Sequence, residues 1–226
     1  MSAPVETVSG YPARLRGGLD ESHLSRGLWL VKWLLAIPHY VVLLFLWIGF
    51  VFATVAAAFV ILFTGRYPRA IFDYNVGVLR WTWRVQYYSW TVLGSDRYPP
   101  FTLRATDYPA DVQVEYPENL SRGLVVVKWW LLVIPHYLLV AAMTGSGWDN
   151  GEGSTGISLL GVLVLVAAVA LLFTGRYPRS LFDFVLGINR WVFRVIVYAA
   201  LMRDEYPPFR LDQGPDEPWH PRQVQS

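Results

Sequence analysis

The sequence predicts a mainly α, integral membrane fold made of two tandem repeats. Each repeat is expected to hold a transmembrane helical hairpin and an amphipathic interfacial helix, with short extended or β segments on the cytoplasmic side. Three observations predict it. Of 226 residues, 54% are hydrophobic and only 16% charged, with a mean hydropathy of +0.33. A soluble domain carries about 25% charged residues, so this surface is too poor in charge to face water throughout. The same motifs occur twice, in the same order. The longest apolar runs, finally, have the length of a bilayer crossing.

The repeat is read directly. Leu24-Ser25-Arg26-Gly27 returns as Leu120-Ser121-Arg122-Gly123, Lys32-Trp33 as Lys128-Trp129, and Ile37-Pro38-His39-Tyr40 as Ile134-Pro135-His136-Tyr137. FTGRYPR stands at 63–69 and again at 173–179. Phe72-Asp73, Gly77, Arg80-Trp81 and Arg84 return as Phe182-Asp183, Gly187, Arg190-Trp191 and Arg194, and Tyr98-Pro99-Pro100-Phe101 as Tyr206-Pro207-Pro208-Phe209. The offset runs 96, 97, 110 and 108, which places a net insertion of 13 residues between the IPHY and FTGRYPR motifs of copy two. The organisation follows: a flexible N-terminus 1–10, repeat 1 over 11–104, repeat 2 over 105–212, and a Pro-containing tail 213–226 without apolar periodicity, expected to be disordered.

This motif series resembles a family of uncharacterised bacterial membrane proteins, grouped as a domain of unknown function and often duplicated in tandem. The resemblance covers roughly Tyr11 to Asp212. It implies an integral membrane protein and supplies no activity, substrate or site residue.

Within copy two, Leu124–Met143 and Ile157–Phe173 flank a loop, Thr144–Gly156, rich in Gly, Ser, Asp and Asn. That pattern predicts a membrane hairpin. In copy one the apolar run Leu28–Phe63 has no polar interruption; at about 1.5 Å per residue it is too long for one straight crossing. Two readings stand. A hairpin turning near Trp47-Ile48-Gly49 is preferred; an interfacial helix over Leu28–Ile37 followed by one crossing over Val41–Phe63 is the other. The Thr144–Gly156 loop holds none of the 19 Lys and Arg residues, so the hairpin reading sets the basic residues and both termini on the cytoplasmic side. Trp47 and Trp148 would then mark the outer interface, and Trp29, Trp33, Trp129 and Trp130 the inner one. Hairpins entering from one side would be parallel repeats, with His39 and His136 at equal depth on facing helices. The apolar run starting at Leu28 is longer than a signal peptide's and is expected to be an uncleaved anchor.

After each GRYPR, whose glycine and proline read as a helix stop, a third helix is expected over Ala70–Leu93 and Ser180–Met202. Its shared stripe is Asp73, Gly77, Arg80 and Arg84, repeated by Asp183, Gly187, Arg190 and Arg194. Such a basic amphipathic helix belongs at the cytoplasmic interface; a buried helix with internally paired arginines is the rival reading. The opposite face differs between copies: Asn75, Thr82, Gln86 and Ser89 stand where copy two has Val185, Val192, Ile196 and Ala199. Tyr11–Arg16, Phe101–Arg104, Val112–Glu115 and Phe209–Asp212 read as short strands, two of them joined through Ala105–Pro109.

Chemistry is bounded by what is missing. The chain has no cysteine, which excludes disulfides, thiol catalysis, cysteine-ligated zinc and iron–sulfur sites. A formal charge of +2 is far from that of a nucleic-acid binder. No phosphate-cradling Gly-rich loop, GxSxG elbow or HExxH helix is found, and His23 and His220 lie in polar segments. His39 and His136 are intramembrane polar candidates; the adjacent proline frees a carbonyl that a neutral imidazole could serve, which favours a structural role. No metal site and no cofactor is expected. Lys32 and Lys128 are expected to snorkel to the inner interface. Together with Arg66, Arg69, Arg80, Arg84, Arg176, Arg179, Arg190 and Arg194 they form an expected anionic-headgroup belt, balanced only by Asp73 and Asp183.

The expected function is therefore a non-enzymatic bacterial inner-membrane module that binds lipid, a membrane-protein partner or a second copy. A small transporter or channel component using the His-Pro sites is the alternative. A lipid-modifying enzyme with Asp73 or Asp183 as base is the third reading, and nothing in the sequence sets a nucleophile beside either.

Overall fold

The computed structural model describes residues 11–19, 24–144 and 159–211. In chain order the elements are β1 (Ala13–Gly17), α1 (Trp29–Leu35), α2 (Ile37–Thr64), α3 (Arg69–Ser89), β2 (Ala110–Val114), α4 (Arg122–Val127), a π-helical segment (Lys128–Leu132), α5 (Ile134–Thr144), α6 (Leu159–Thr174) and α7 (Arg179–Ala199). The N-terminus 1–10, the tail 213–226, and the insert with Trp148, Asp149 and Glu152 lie outside the described residues.

Copy one has no hairpin at Trp47-Ile48-Gly49. The helix α2 runs unbroken through that point for 28 residues, about 42 Å, as the alternative reading of this run allowed. One glycine among apolar helix formers does not stop a helix; here Gly49 makes room for the Tyr74 hydroxyl, which donates to the Leu46 carbonyl at 2.8 Å. The break comes earlier, at Ala36, with Pro38 in the first turn of α2, where no N–H is needed. At its far end Gly65 closes the helix with φ 72°. Among the described residues α2 is the one helix long and apolar enough to cross a membrane. The described copy-two counterparts are α5 and α6, which precede and follow residues 145–158 in the chain.

A single extra residue in copy two is handled differently. The offset rises from 96 at Lys128 to 97 at Ile134, and the backbone between them is the π-helical segment. An added residue inside a helix is absorbed as a wider turn. That keeps both Lys128 and His136 facing the protein.

Of the four expected strands, β1 and β2 form and pair antiparallel with each other, Leu15 opposite Val112. The other two segments are turned instead, with Thr102 N–H donating to Pro100 O and Arg210 N–H to Pro208 O. Ala105–Pro109 joins no hairpin. Because Tyr11-Pro12-Ala13 matches Tyr108-Pro109-Ala110, Leu15 and Val112 are equivalent residues facing each other. The equivalent pair Trp83 and Phe193 also meets, at 5.6 Å. A pseudo-two-fold axis therefore passes through the sheet and between α3 and α7. Tyr87, late in α3, lies 6.3 Å from Phe182, early in α7, so these helices run antiparallel.

The third helices end at Ser89 and Ala199, short of the expected Leu93 and Met202. The chain turns through Leu93 and Leu201, equivalent residues with φ 58° and 62°. Leucine rarely adopts that conformation; both side chains are buried, and that packing holds the turn. On a 100° wheel with Trp83 at zero, Tyr87 and Arg80 fall at about 40° and 60°, and Tyr74, Ser89 and Thr82 at about 180°, 240° and 260°. The first set bonds the strands and their loops: Trp83 to Arg16 O, Tyr87 to Gly18 O, Arg80 to Asp111. The second set bonds α2. The core is thus a middle layer of α3 and α7, with the sheet on one side and α2 and α6 on the other.

If the π-helical segment is only an absorbed insertion, deleting Leu131 restores copy-one spacing. The melting temperature in mild detergent should fall by no more than about 4 °C, about 1 kcal/mol for a chain of this size. Deleting Leu34 from copy one should unseat Lys32 or His39 and abolish the cooperative transition.

Candidate functional site

The repeated motifs assemble into two like clusters. His39 is fully buried, stacks on Phe101 at 3.9 Å, and lies against Tyr98 and Trp81. His136 stacks on Phe209 at 4.3 Å, against Tyr206 and Trp191. The IPHY histidine, the RW tryptophan and the YPPF aromatics are therefore one packing unit, made twice. Trp81 Nε1 donates to His39 Nδ1 at 3.0 Å, which assigns the proton of a neutral imidazole to Nε2. His136 reaches the same tautomer by other partners: its Nε2 donates to Pro207 O, and its Nδ1 accepts from the Tyr206 hydroxyl, each at 3.1 Å. Neither histidine serves the carbonyl freed by its proline. In copy one Tyr98 donates to the neighbouring Leu35 O at 3.0 Å. The clusters are not on facing helices. His39 stands at the start of α2, whereas Tyr67, just past the end of α2, donates to Ala200 O beside the His136 cluster.

Lys32 and Lys128 do not snorkel outward; each is 1% exposed. Lys32 Nζ pairs with Asp96 at 2.6 Å and donates to Ser95 O at 2.8 Å. Lys128 Nζ pairs with Asp204 at 2.7 Å and donates to Arg203 O. The other oxygen of each aspartate accepts the backbone N–H of Ser25 or Ser121 at 2.6 Å, tying in the LSRG motif. Burial pushes both ammonium groups below their ordinary range, and the aspartates pull them back up. Asp96 and Asp204 were not among the candidates read from the sequence. Their signal was present: they share the 108-residue offset of the YPPF motifs and stand two residues before each.

The expected arginine belt divides. Arg84, Arg190 and Arg194 are buried. Arg84 donates to Thr102 O and Arg104 O, Arg80 pairs with Asp111 at 2.7 Å and donates to Leu103 O, and Arg190 donates to Leu15 O. Gly77 of the same stripe lets Leu103 approach, since a Cβ there would lie 2.8 Å from the leucine's own. This stripe is the seat of the strand and the returning YPPF loop, not a face for headgroups. Asp73 is exposed and Asp183 half-buried, away from these pairs. Arg66, Arg69, Arg176 and Arg179 remain exposed, Arg69 lying over the Tyr116 ring at 4.1 Å. Two exposed arginines that the sequence reading left out join them. Arg122 lies beside Gly65 at the end of α2, and Arg26 beside Gly175 at the end of α6. A cation at a helix C-terminus is favoured by the helix dipole.

Between α2 and α7 runs an apolar groove of about 860 Å³, walled by Trp47, Phe50, Val51, Val55 and Leu62 on one side and Val192, Ile196 and Ala199 on the other. Val125 and Val126 line its end, one turn from Arg122. Of the wall residues of α7, Val192, Ile196 and Ala199 have polar copy-one counterparts, Thr82, Gln86 and Ser89. There Thr82 accepts from Trp47 Nε1, and Ser89 from the Tyr40 hydroxyl, so α2 covers that face. Among the described residues no group of three His, Asp or Glu converges on a metal position.

Removing one partner of a buried ion pair leaves an uncompensated charge, at a cost of about 3–5 kcal/mol. Asp96→Ala should therefore cost that much in detergent unfolding, and Lys32→Met with Asp96→Leu should recover most of it. Equal losses in the single and double variants would mean that the pair carries no such coupling.

No curated protein and no solved structure matches this chain. A family match, to the group described as Domain of unknown function (DUF4389), covers residues 26–102 and 155–210, one stretch in each repeat and more than half of the chain. The chain thus belongs to the DUF4389 family, with a matched stretch in each of its two repeats.

Proposed function

We propose that this chain is a non-enzymatic bacterial inner-membrane module that binds anionic lipid. The observation that carries the reading is the outer surface of α2, where Phe45, Phe52, Phe59 and Phe63 are each more than 60% exposed along one helix face. Burying a phenylalanine is worth about 1.5–3 kcal/mol, and an acyl layer supplies that burial. The groove between α2 and α7 takes an acyl chain: it spans Trp47 to Leu62, about 22 Å, and carries almost no polar lining. Arg122 and Arg66 stand where it ends, placed for the phosphate of the same lipid. The two histidines serve packing, each neutral and held by aromatic neighbours, and a transport path lined by both is not supported by their separation.

Thermal stability in nanodiscs tests this. Phosphatidylglycerol, against phosphatidylcholine, should raise the melting temperature of the parent chain. An Arg66→Gln, Arg122→Gln variant should lose about 4–8 °C of that gain, from about 1 kcal/mol per basic group near an anionic surface. Equal lipid dependence in both proteins would defeat the headgroup assignment.

A further inference from the structure

We infer that α2 and α6 lie in the plane of one leaflet, instead of crossing the bilayer, with the β1–β2 sheet turned to the cytoplasm. The inference rests on the lipid-binding reading and adds how the molecule sits.

Consider α2 set upright. The helix α3 is antiparallel to it along most of its length, since Tyr40 bonds Ser89 at one end and Thr54 meets Asn75 towards the other. An upright α2 makes α3 upright too. The sheet bonds the middle of α3, through Arg80 and Trp83, on the side away from α2. It would then sit at mid-depth in the hydrocarbon, with Arg16, Gln113 and Glu115 exposed. Charged groups there are costly. A two-stranded sheet also has open edges, and lipid-facing open edges do not occur in the hydrocarbon region. The upright arrangement fails on both counts.

Laid flat, the same layers fit. The exposed positions of α2, among them Val41, Phe45, Phe52 and Phe59, fall on one half of the helix; His39, Leu43, Phe50, Ala57 and Ile61 fall on the other and are buried. One half meets acyl chains and the other meets α3, which is why a helix apolar all round needs no crossing. The exposed arginines decide the side. Arg66, Arg69 and Arg122 gather at the C-terminal end of α2. Arg26, Arg176 and Arg179 gather at its N-terminal end, because Ser25 bonds Asp96 there. A crossing helix would put one trio on each side, against the cytoplasmic bias of basic residues. A flat one sets both trios on the same headgroup layer, and the pseudo-two-fold axis then lies along the membrane normal. In this orientation α6, about 24 Å long, no longer has to reach across about 30 Å of hydrocarbon.

The chain has no cysteine, so single cysteines report cleanly. Asp107→Cys and Glu118→Cys are exposed sites near opposite ends of α2. With an impermeant maleimide, both should react in inside-out vesicles and neither in intact cells. Reaction of either from outside overturns the inference. Spin labels at Phe45→Cys, Phe52→Cys and Phe59→Cys give a second readout in liposomes. Equal immersion depth is expected, whereas a maximum at the middle site, about 10 Å deeper than its neighbours, overturns it. Recovery of the parent chain in the soluble fraction would instead sink the lipid-binding reading beneath it.

Discussion

Arg84, Arg190, Lys32 and Lys128 are buried cations whose hydrogens go to main-chain carbonyls of loops and strands that have no helix to satisfy them. The rest of the structure depends on this arrangement. Much of the outer surface is apolar, and the segments after α3 and α7 are neither helix nor sheet. Unpaired carbonyls in such a place cost as much as lost hydrogen bonds. A long cationic side chain reaches several angstroms from its helix and offers several donors, so one arginine can fix two carbonyls of a returning loop. Charge is thereby spent as internal scaffolding, and what remains for outside contact is the set of arginines at the helix ends.

The two copies are also completed by each other. Tyr11, two residues before the strand of copy one, donates to Glu205 O in the loop of copy two, and Tyr108, two residues before the strand of copy two, donates to Arg97 O in the loop of copy one. Leu120 N–H bonds Gly65 O across the same divide. A two-stranded sheet is marginal alone; here each strand is pinned by side chains from α3 or α7, and each copy contributes one strand. Duplication is thus a structural requirement of this chain, because half of it would leave one unpaired strand and one uncapped helix end.

How much was legible follows from what each motif does. The repeat, the third helices, two of the strands and the GRYPR stops were readable because each is local: glycine past a helix end and proline beyond it act through neighbouring residues. The direction of the Arg80–Arg84 stripe was not. A row of arginines on one helix face reads as a solvated or headgroup face, and only the return of Thr102 to Arg104 over Gly77 turns it inward. The hairpin at Gly49 failed for a related reason: run length and charge placement allow a turn there, but one glycine among apolar helix formers does not make one, and the helix simply continues. Lys32 was visible, but its partner Asp96 is 64 residues away in sequence, and pattern reading has no term for a distant carboxylate.

The two copies differ on one face of their third helices. Two-fold partners that did the same work would keep the same residues on both third helices, as they do in the Arg-Trp stripe. On the other face Thr82 and Ser89 bond α2, whereas Val192 and Ala199 line a groove. The polar residues make no sense without α2 against them, and the apolar ones make none facing water. An apolar wall that the protein leaves open is stable only if something apolar fills it, and in the proposed seating that filler is an acyl chain of the same leaflet that holds α2. Copy one then serves as the rigid half, its unbroken helix forming one wall. Copy two, with Val192, Ile196 and Ala199 where copy one has Thr82, Gln86 and Ser89, supplies the other wall, and in the proposed seating the acyl chain lies between them.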